Sequence, residues 1–173
     1  KLVWGGHPAI TPMVWAFAES MSIDYGEWVL LYQSLLFEDD FPNETRKFNN
    51  VVFNERISDD VEDSLAIMRK KMFQENEFQA AVFVGGMRGV IDEFELFVKL
   101  APKAIVLPIA STGGAARELA NRLDRDVGVL EKRDYVGLLY KRLGIDPNER
   151  RYIRPADQPP NVADRIMNAR SRG

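Results

Sequence analysis

The chain has no cysteine and only one histidine, His7, among its 173 residues. Without cysteine it can form neither disulfides nor thiolate metal sites, and it has no thiol nucleophile. A single histidine is too few for a histidine metal cage or for an acid–base pair of two imidazoles. No metal site is therefore predicted, and these absences favour recognition of a ligand over catalysis.

A strong charge of one sign and long apolar runs are missing as well. The chain has 23 Lys and Arg against 26 Asp and Glu, and its net charge of −3 does not fit a protein held on nucleic acid by bulk electrostatics. No run approaches the roughly 18 apolar residues of a membrane helix, and no signal peptide is visible. We therefore expect a cytoplasmic protein without a membrane or nucleic-acid partner.

Short apolar runs alternate with amphipathic stretches, which is typical of an α/β domain with a mainly parallel sheet. The pattern predicts a Rossmann-like fold in three layers, with helices on both faces of the sheet. Residues 80–84 and 104–109 are continuously apolar, as strands covered on both faces should be. Further strands are predicted at 2–4, 28–32 and 51–53, and helices at 11–21, from 58 onward, at 90–100, after 114 up to 123, and at 135–143.

In three of the predicted helices, apolar residues recur at helical spacing, and we expect these side chains to face the core. These residues are Met13, Val14, Phe17 and Met21 in the first helix, Leu65, Met68, Met72 and Phe73 in the second, and Ile91, Phe94, Phe97 and Val98 in the third.

The composition changes beyond Gly144. Residues 144–173 contain four prolines and six arginines against four acidic residues, without a sustained apolar period. We expect residues 1–143 to form the ligand-binding domain, and 144–173 to be a polar tail, a linker or a strap on a partner. Because the chain starts without Met directly on an apolar run, the domain is expected to lack its N-terminal strand.

Three predicted strands end in glycine-rich turns that open directly into helices. The carboxyl ends of parallel strands share one edge of a sheet, where ligands bind, so the three turns are expected to converge. Glycine lets a ligand approach the backbone, and the following helix directs free N–H groups at an anion. A nucleotide-like ligand is therefore predicted, and no other cofactor. Its expected contacts are Gly5, Gly6, His7 and Thr11 in the first turn, Gly85, Gly86, Met87, Arg88 and Gly89 in the second, and Ser111, Thr112, Gly113, Gly114 and Arg117 in the third.

None of the three turns has a standard catalytic or nucleotide-binding fingerprint. The chain has no G-x-G-x-x-G, no G-x-x-x-x-G-K-[ST] and no G-x-S-x-G. Conventional nicotinamide dehydrogenases, P-loop enzymes and serine hydrolases are therefore disfavoured. Each turn alone also fits a tight β–α connection with no ligand, which is the interpretation as a structural or interaction module.

Three carboxylates, Asp92, Glu93 and Glu95, stand at the opening of the helix after the second turn. Such groups can hold a ribose hydroxyl or assist cleavage of a glycosidic bond. They can also simply stabilise the positive end of the helix, by roughly 0.3–1 kcal/mol each. Glu93 and Glu95 are the candidates for a catalytic role, without a firm assignment.

Taken together, segments 2–12, 82–90 and 107–116 resemble the SLOG superfamily, which is named for the Smf/DprA proteins and the LOG enzymes. They are most similar to its bacterial sensor-type branch, found beside TIR and Sir2 effector modules. The resemblance implies a Rossmann-like fold that binds nucleotide derivatives at the glycine-rich strand ends. It further implies an ADP-ribose-like or cyclic nucleotide messenger, defence against phage, and control of an effector or of homo-oligomerisation.

The resemblance to the LOG enzymes leaves an enzymatic alternative open. Those enzymes cleave the N-glycosidic bond of nucleoside monophosphates with a P-G-G-x-G-T-x-x-E motif. The corresponding stretch here, 84–93, reads V-G-G-M-R-G-V-I-D-E, with valine in place of the proline and the threonine and one residue added between the glycines. These departures bear on catalysis more than on binding. A sensor is therefore the first hypothesis, and a LOG-like N-glycosidase or phosphoribohydrolase is the alternative.

Overall fold

The computed structural model describes residues 1–20, 28–57, 60–123, 134–150, 152 and 154–170. Its strands are all parallel to their partners, and helices separate most of them, so the predicted α/β class with parallel strands is confirmed. In chain order the elements are β1 (Leu2–Gly5), α1 (Thr11–Ser20), β2 (Val29–Ser34), β3 (Val51–Asn54), α2 (Val61–Gln74), β4 (Ala80–Val84), α3 (Arg88–Leu100), β5 (Ile105–Ile109), α4 (Gly114–Arg122), α5 (Tyr135–Leu143) and α6 (Val162–Arg170).

The described strands form two sheets. One sheet has the order β1-β2-β3, and the other pairs β4 with β5. Leu31 of β2 lies opposite Val51 of β3, and Phe83 of β4 lies opposite Pro108 of β5. A proline inside a strand lacks a ladder donor and is therefore found at sheet edges, which fits β5 in a pair of strands.

The chain divides into two compact units. The first comprises Lys1–Met72 with Glu149–Gly173, and the second comprises Phe73–Asn148. The three-stranded sheet belongs to the first unit and the β4–β5 pair to the second. The segment 144–173, for which a tail or strap is predicted, contains the helix α6. No helix in the ranges given above is both long and apolar enough to cross a membrane.

The core of the first unit lies between β2 and α1. Val29 and Leu31 are buried with Phe48, and Trp15 of α1 meets the Phe48 ring edge-on at 5.3 Å. The face of α1 that packs inward carries Thr11, Val14, Trp15 and Ala18.

The predicted inward face of α1 is therefore largely wrong. Met13 and Phe17 are 70% and 65% exposed, and only Val14 of the predicted residues packs on the core. Met21 lies outside the described residues. The error arises because α1 is apolar on nearly every side, so periodicity cannot select a face, whereas the Phe48 ring and β2 select the side that carries Trp15.

A cluster of aromatic rings forms the core of the second unit. Phe97 is 1% exposed, and its ring meets those of Phe73, Phe78 and Phe83 edge-on. Each such pair adds about 0.5–1.5 kcal/mol to the apolar area it buries. Met68, Met72 and Phe73 of α2 and Ile91 and Phe97 of α3 are buried as predicted, while Leu65, Phe94 and Val98 are half-buried.

The two strands of the second unit differ in how far their side chains are buried. Val106 to Ile109 of β5 are buried on both faces, so the prediction is confirmed for these residues, whereas Ile105 is 40% exposed. For β4 it is wrong, because Val82 and Val84 are 41% and 58% exposed. Phe83 points to the face that α3 covers, and the described residues leave the opposite face of β4 open.

Candidate functional site

The second and third glycine turns, Gly85–Gly89 and Ser111–Gly114, lie against each other and are called the interlocked turns below. The Thr112 hydroxyl joins them: Gly85 N donates to Thr112 Oγ1 at 2.7 Å, and Thr112 Oγ1 donates to Ile109 O at 2.6 Å. Both turns follow the carboxyl ends of paired parallel strands, β4 and β5. The sequence-based expectation that turns meet at one sheet edge therefore holds for these two.

The first backbone amides of α4 are satisfied by the second turn. Ala115 N donates to Gly86 O at 2.9 Å, and Ala116 N donates to Gly85 O at 3.0 Å. A helix begins with four N–H groups that lack intrahelical acceptors, and these groups usually bind anions at such sites. Two of the four are occupied by the second turn, and a third, Gly113 N, donates to Ala110 O at 3.0 Å. The α4 terminus therefore stabilises the interlocked turns instead of offering these amides to a ligand.

Two glycines of the interlocked turns have no room for a side chain. Gly86 has φ +82°, and Gly114 has φ +53°, both in the left-handed region that L side chains rarely adopt. A Cβ on Gly114 would lie 2.3 Å from Gly86 O, and a Cβ on Gly86 would lie 2.3 Å from Val90 Cγ2. For Gly114 the contact that demands glycine is thus a backbone carbonyl of the neighbouring turn.

The start of α3 is arranged differently from that of α4. The helix begins at Arg88, two residues earlier than predicted, with Met87 in an extended conformation just before it. No acceptor among the described residues takes a hydrogen bond from the Arg88 and Gly89 amides, whereas Val90 N donates to Met87 O. The positive end of α3 therefore presents two N–H groups, beside the exposed Met87 and Arg88 side chains.

The carboxylates of α3 are engaged in ion pairs. Asp92 Oδ1 accepts from Arg88 Nε at 2.9 Å, and Glu95 lies 3.7 Å from Arg122 of α4. Glu93 is half-buried and also has an interaction partner. A catalytic role of Glu93 or Glu95 stays a prediction. In the part of the chain with described coordinates, no group of three histidine or acidic side chains is placed to hold a metal.

The third turn has a neighbour that the sequence does not signal. Ser111 Oγ donates to Tyr135 Oη of α5 at 3.4 Å, across 24 positions of the chain. Arg117 Nε donates to Ala110 O at 3.3 Å, so this guanidinium is drawn toward the end of β5. Nothing in the sequence around Tyr135 predicts this contact, because it depends on how α5 packs on the second unit.

The first turn belongs to the other unit and closes on itself. Gly6 N donates to Tyr32 O at 3.0 Å, and the His7 carbonyl accepts from Thr11 N and Thr11 Oγ1, both at 2.9 Å. Thr11 is fully buried, so its hydroxyl secures the start of α1. His7 is exposed, and its Nδ1 accepts from Ala9 N at 3.2 Å, which leaves Nε2 as the donor of a neutral ring.

Buried polar side chains lie at the ends of β2 and β3, and the sequence did not mark them as candidates. Gln33, Ser34 and Asn54 are 6%, 1% and 4% exposed, although buried polar groups are unusual in strands of this kind. Asn54 Nδ2 donates to Gln33 O at 3.3 Å. A signal was available, because Q-S and N directly follow the apolar stretches V-L-L-Y and V-V-F.

A family model, described as the SLOG cluster3 family, matches residues 1–143. The chain belongs to the SLOG cluster3 family. The suspected SLOG membership is therefore confirmed, and it supports a nucleotide-related Rossmann-like domain. No curated protein and no solved structure matches the chain.

Within this SLOG cluster3 chain, the predicted contacts are distributed over both units. Those of the second and third turns are together in one unit, and those of the first turn lie in the other. Direct ligand contact stays a prediction for all of them. The interlocked turns and the α3 terminus nevertheless form a defined arrangement: a turn fixed from one side by α4, with open amides on the helix that follows.

Proposed function

We propose that this SLOG cluster3 chain is a sensor that binds a nucleotide-derived ligand at its glycine-rich strand ends. The observation that carries the proposal is the pair of open amides, Arg88 N and Gly89 N, at the start of α3. A helix terminus with free N–H groups and a positive dipole binds phosphate well. The Arg88 side chain adds a positive charge at the same place, although its guanidinium forms an ion pair with Asp92.

The interlocked turns support recognition by a rigid site. The carbonyls of Gly85 and Gly86 accept hydrogen bonds from α4, and Gly85 N donates to Thr112. The second turn is therefore already ordered before a ligand binds. Pre-organised groups lose less entropy on binding and therefore bind more tightly. This favours a phosphate of the ligand at the α3 terminus.

The ligand class and the biological role rest on the resemblance to the sensor-type branch. An ADP-ribose-like or cyclic nucleotide messenger is the proposed ligand, and antiphage defence the proposed setting. Binding would shift homo-oligomerisation or the activity of an effector, attached or separate, in the cytoplasm. Light scattering of the chain with and without the bound ligand measures the first of these effects.

Calorimetric titration of the whole chain tests the proposal. The ligands are ADP-ribose, its cyclic isomers, NAD and cyclic dinucleotides. Binding of one of them is expected. A folded chain that binds none of these ligands contradicts the proposal.

Two substitutions at one position isolate the backbone amide. Proline is accepted at the first position of a helix and after an extended residue such as Met87, so Arg88→Pro removes the N–H without disturbing the fold. Arg88→Ala removes the charge and keeps the N–H. We expect Arg88→Pro to bind about tenfold more weakly than Arg88→Ala, the value of one hydrogen bond to a charged group. Equal affinities would remove the α3 terminus from the site.

The LOG-like alternative is favoured by the position of one carboxylate. Glu93 follows Gly89 by four residues in α3 and therefore lies one turn from the open amides, on the same side of the helix. An N-glycosidase would release free base from a nucleotide panel. Loss of that release in Glu93→Gln or in Glu95→Gln would identify the catalytic carboxylate. Absence of turnover at high enzyme concentration would rule this function out.

A further inference from the structure

An apolar stripe runs along the side of α1 that faces away from the core of the first unit. Met13 and Phe17 are 70% and 65% exposed, and the small residues Ala16 and Ser20 are exposed beside them. Residues three and four positions apart lie on one side of a helix, so these four form a continuous surface. We call them the α1 stripe.

The α1 stripe can be covered without burying an unpaired polar group. Its one polar side chain belongs to Ser20, whose hydroxyl donates to Phe17 O of the same helix at 2.7 Å. The core of the first unit packs on the other side of α1, which carries Val14 and Trp15. A helix that is apolar on opposite sides is typical of one that is covered on both, and an exposed apolar patch marks an interaction surface.

The α1 stripe is complementary to itself in the size of its side chains. Large and small residues alternate along it, in the order Met13, Ala16, Phe17 and Ser20. When two copies of α1 run antiparallel about a two-fold axis at the middle of the stripe, Met13 of one copy lies opposite Ser20 of the other. Ala16 and Phe17 then lie next to their own counterparts, so that the helices approach closely at the alanines beside a pair of aromatic rings.

The charge on α1 favours the same antiparallel arrangement. Glu19 is the only charged residue within Thr11–Ser20, and it stands in the last turn, at the negative end of its own helix dipole. In an antiparallel pair its carboxylate comes near the positive end of the other helix. In a parallel pair it would come near the negative end, where a carboxylate is unfavourable.

We propose that the α1 stripe binds a second copy of this chain and that the two chains pair through antiparallel α1 helices. The inference involves no ligand, so it goes beyond the proposed function and does not depend on it. One helix pair buries less than the roughly 800 Å² per partner of a typical stable interface. We therefore expect a reversible dimer with a dissociation constant in the micromolar range.

Sedimentation equilibrium of the whole chain, from low to high micromolar concentration, tests the association. The average mass should rise with concentration from 19.7 kDa toward twice that value. Phe17→Glu places two carboxylates beside the two-fold axis and should weaken the dimer by at least about tenfold. Val136→Glu is the matched control, because it puts the same charge on an apolar residue of α5 that is 61% exposed. It should leave the association unchanged.

Ala16→Leu distinguishes close packing from unspecific adhesion. The position is exposed, so the fold is retained, and the larger apolar side chain would strengthen unspecific association. In the antiparallel pair, two leucines would force the helices apart. We therefore expect this variant to weaken the dimer by about tenfold, the usual effect of overpacking.

The lack of native cysteine allows the register to be measured by disulfide cross-linking. Ala16→Cys should cross-link with itself under oxidation. Met13→Cys alone should not, because the two copies of position 13 are about 10 Å apart along the helix axis, beyond the reach of a disulfide. A mixture of Met13→Cys and Ser20→Cys chains should cross-link, since these positions lie opposite each other.

Three results would overturn the proposal. One is a wild-type chain that keeps the monomer mass at every concentration, which would mean that the chain itself or a different protein covers the α1 stripe. The others are tighter association of Ala16→Leu and cross-linking of Met13→Cys with itself, which would indicate unspecific adhesion and a parallel pair. A monomer that binds a nucleotide would leave the proposed function intact.

Discussion

At the scale of single residues, the Thr112 hydroxyl connects the ends of two neighbouring strands. It accepts from Gly85 N and donates to Ile109 O, so one oxygen ties the end of β4 to the end of β5. The residue is exposed, and water competes for both bonds. Its contribution therefore belongs to the range of an ordinary hydrogen bond.

Replacing this hydroxyl measures its contribution. Thr112→Val keeps the shape and leaves Gly85 N without its acceptor, and we expect a loss of about 1 kcal/mol in the free energy of unfolding. Thr112→Ser retains the oxygen and should lose less. Urea denaturation of both variants measures the difference. Equal stabilities of the valine variant and wild type would mean that the interlocked turns do not depend on this side chain.

Gly114 tests the contact between the interlocked turns more strongly, because an added Cβ there would collide with a backbone carbonyl oxygen. We expect Gly114→Ala to lower the free energy of unfolding by more than about 3 kcal/mol, since a positive φ is combined with a collision on Gly86 O. Gly144→Ala is the control: φ is +64°, and nothing lies within 4 Å of the added Cβ. It should cost about 1–2 kcal/mol. Similar losses in urea melts would refute the close approach.

At the scale of elements, the ends of α5 are predictable from the sequence, whereas the buried face of α1 is not. The sequence places α5 over 135–143, and the structure agrees, with Asp134 as N-cap and Gly144 in the left-handed conformation after the last turn. These are local signals. The buried side of α1 is not local: Trp15 is chosen over Phe17 because the Phe48 ring, 33 residues further along, packs there.

The N-cap of α5 allows a direct measurement. Asp134 Oδ1 accepts from Gly137 N at 2.9 Å. Asp134→Ala should therefore lower the free energy of unfolding by about 1 kcal/mol, whereas Asp134→Asn keeps a capping oxygen and should lose little. Thermal unfolding followed by circular dichroism distinguishes the two. If Asp134→Asn were as destabilised as Asp134→Ala, the negative charge of Asp134 and not its capping hydrogen bond would stabilise the helix.

At the scale of the whole molecule, the sequence predicts the class of fold and the positions of the glycine turns. It does not predict that the carbonyls of one turn receive the amides of the helix after another, because that depends on the packing of β4 against β5. Nor do Gln33 and Asn54 stand out as buried polar residues until the register shows them at one edge of a sheet. The hydrophobic pattern of the sequence identifies the helices and strands, but the pairing of the strands decides which polar groups lie next to each other.

The division into units gives a test for the C-terminal segment. Glu149–Gly173 is grouped with Lys1–Met72, and Arg165 binds the carbonyl of Pro160 and the carboxylate of Glu149 within it. Deleting residues 149–173 should therefore speed hydrogen exchange in β2 about tenfold, equal to ~1.4 kcal/mol of opening free energy, and should affect β5 less. Unchanged exchange in β2 would favour a tail that does not support the unit.

The capping of α4 by Gly85 and Gly86 has a consequence for protein engineering. Loops after β4 and β5 form one cassette, because the carbonyls of the first complete the helix that follows the second. In a chimera that receives only residues 85–89 from a relative, the transplanted loop would have to position its carbonyls for the native amides of α4. Transplanting ligand specificity between such domains should therefore succeed when both loops are moved together, and divergence at position 86 should be accompanied by divergence at 114.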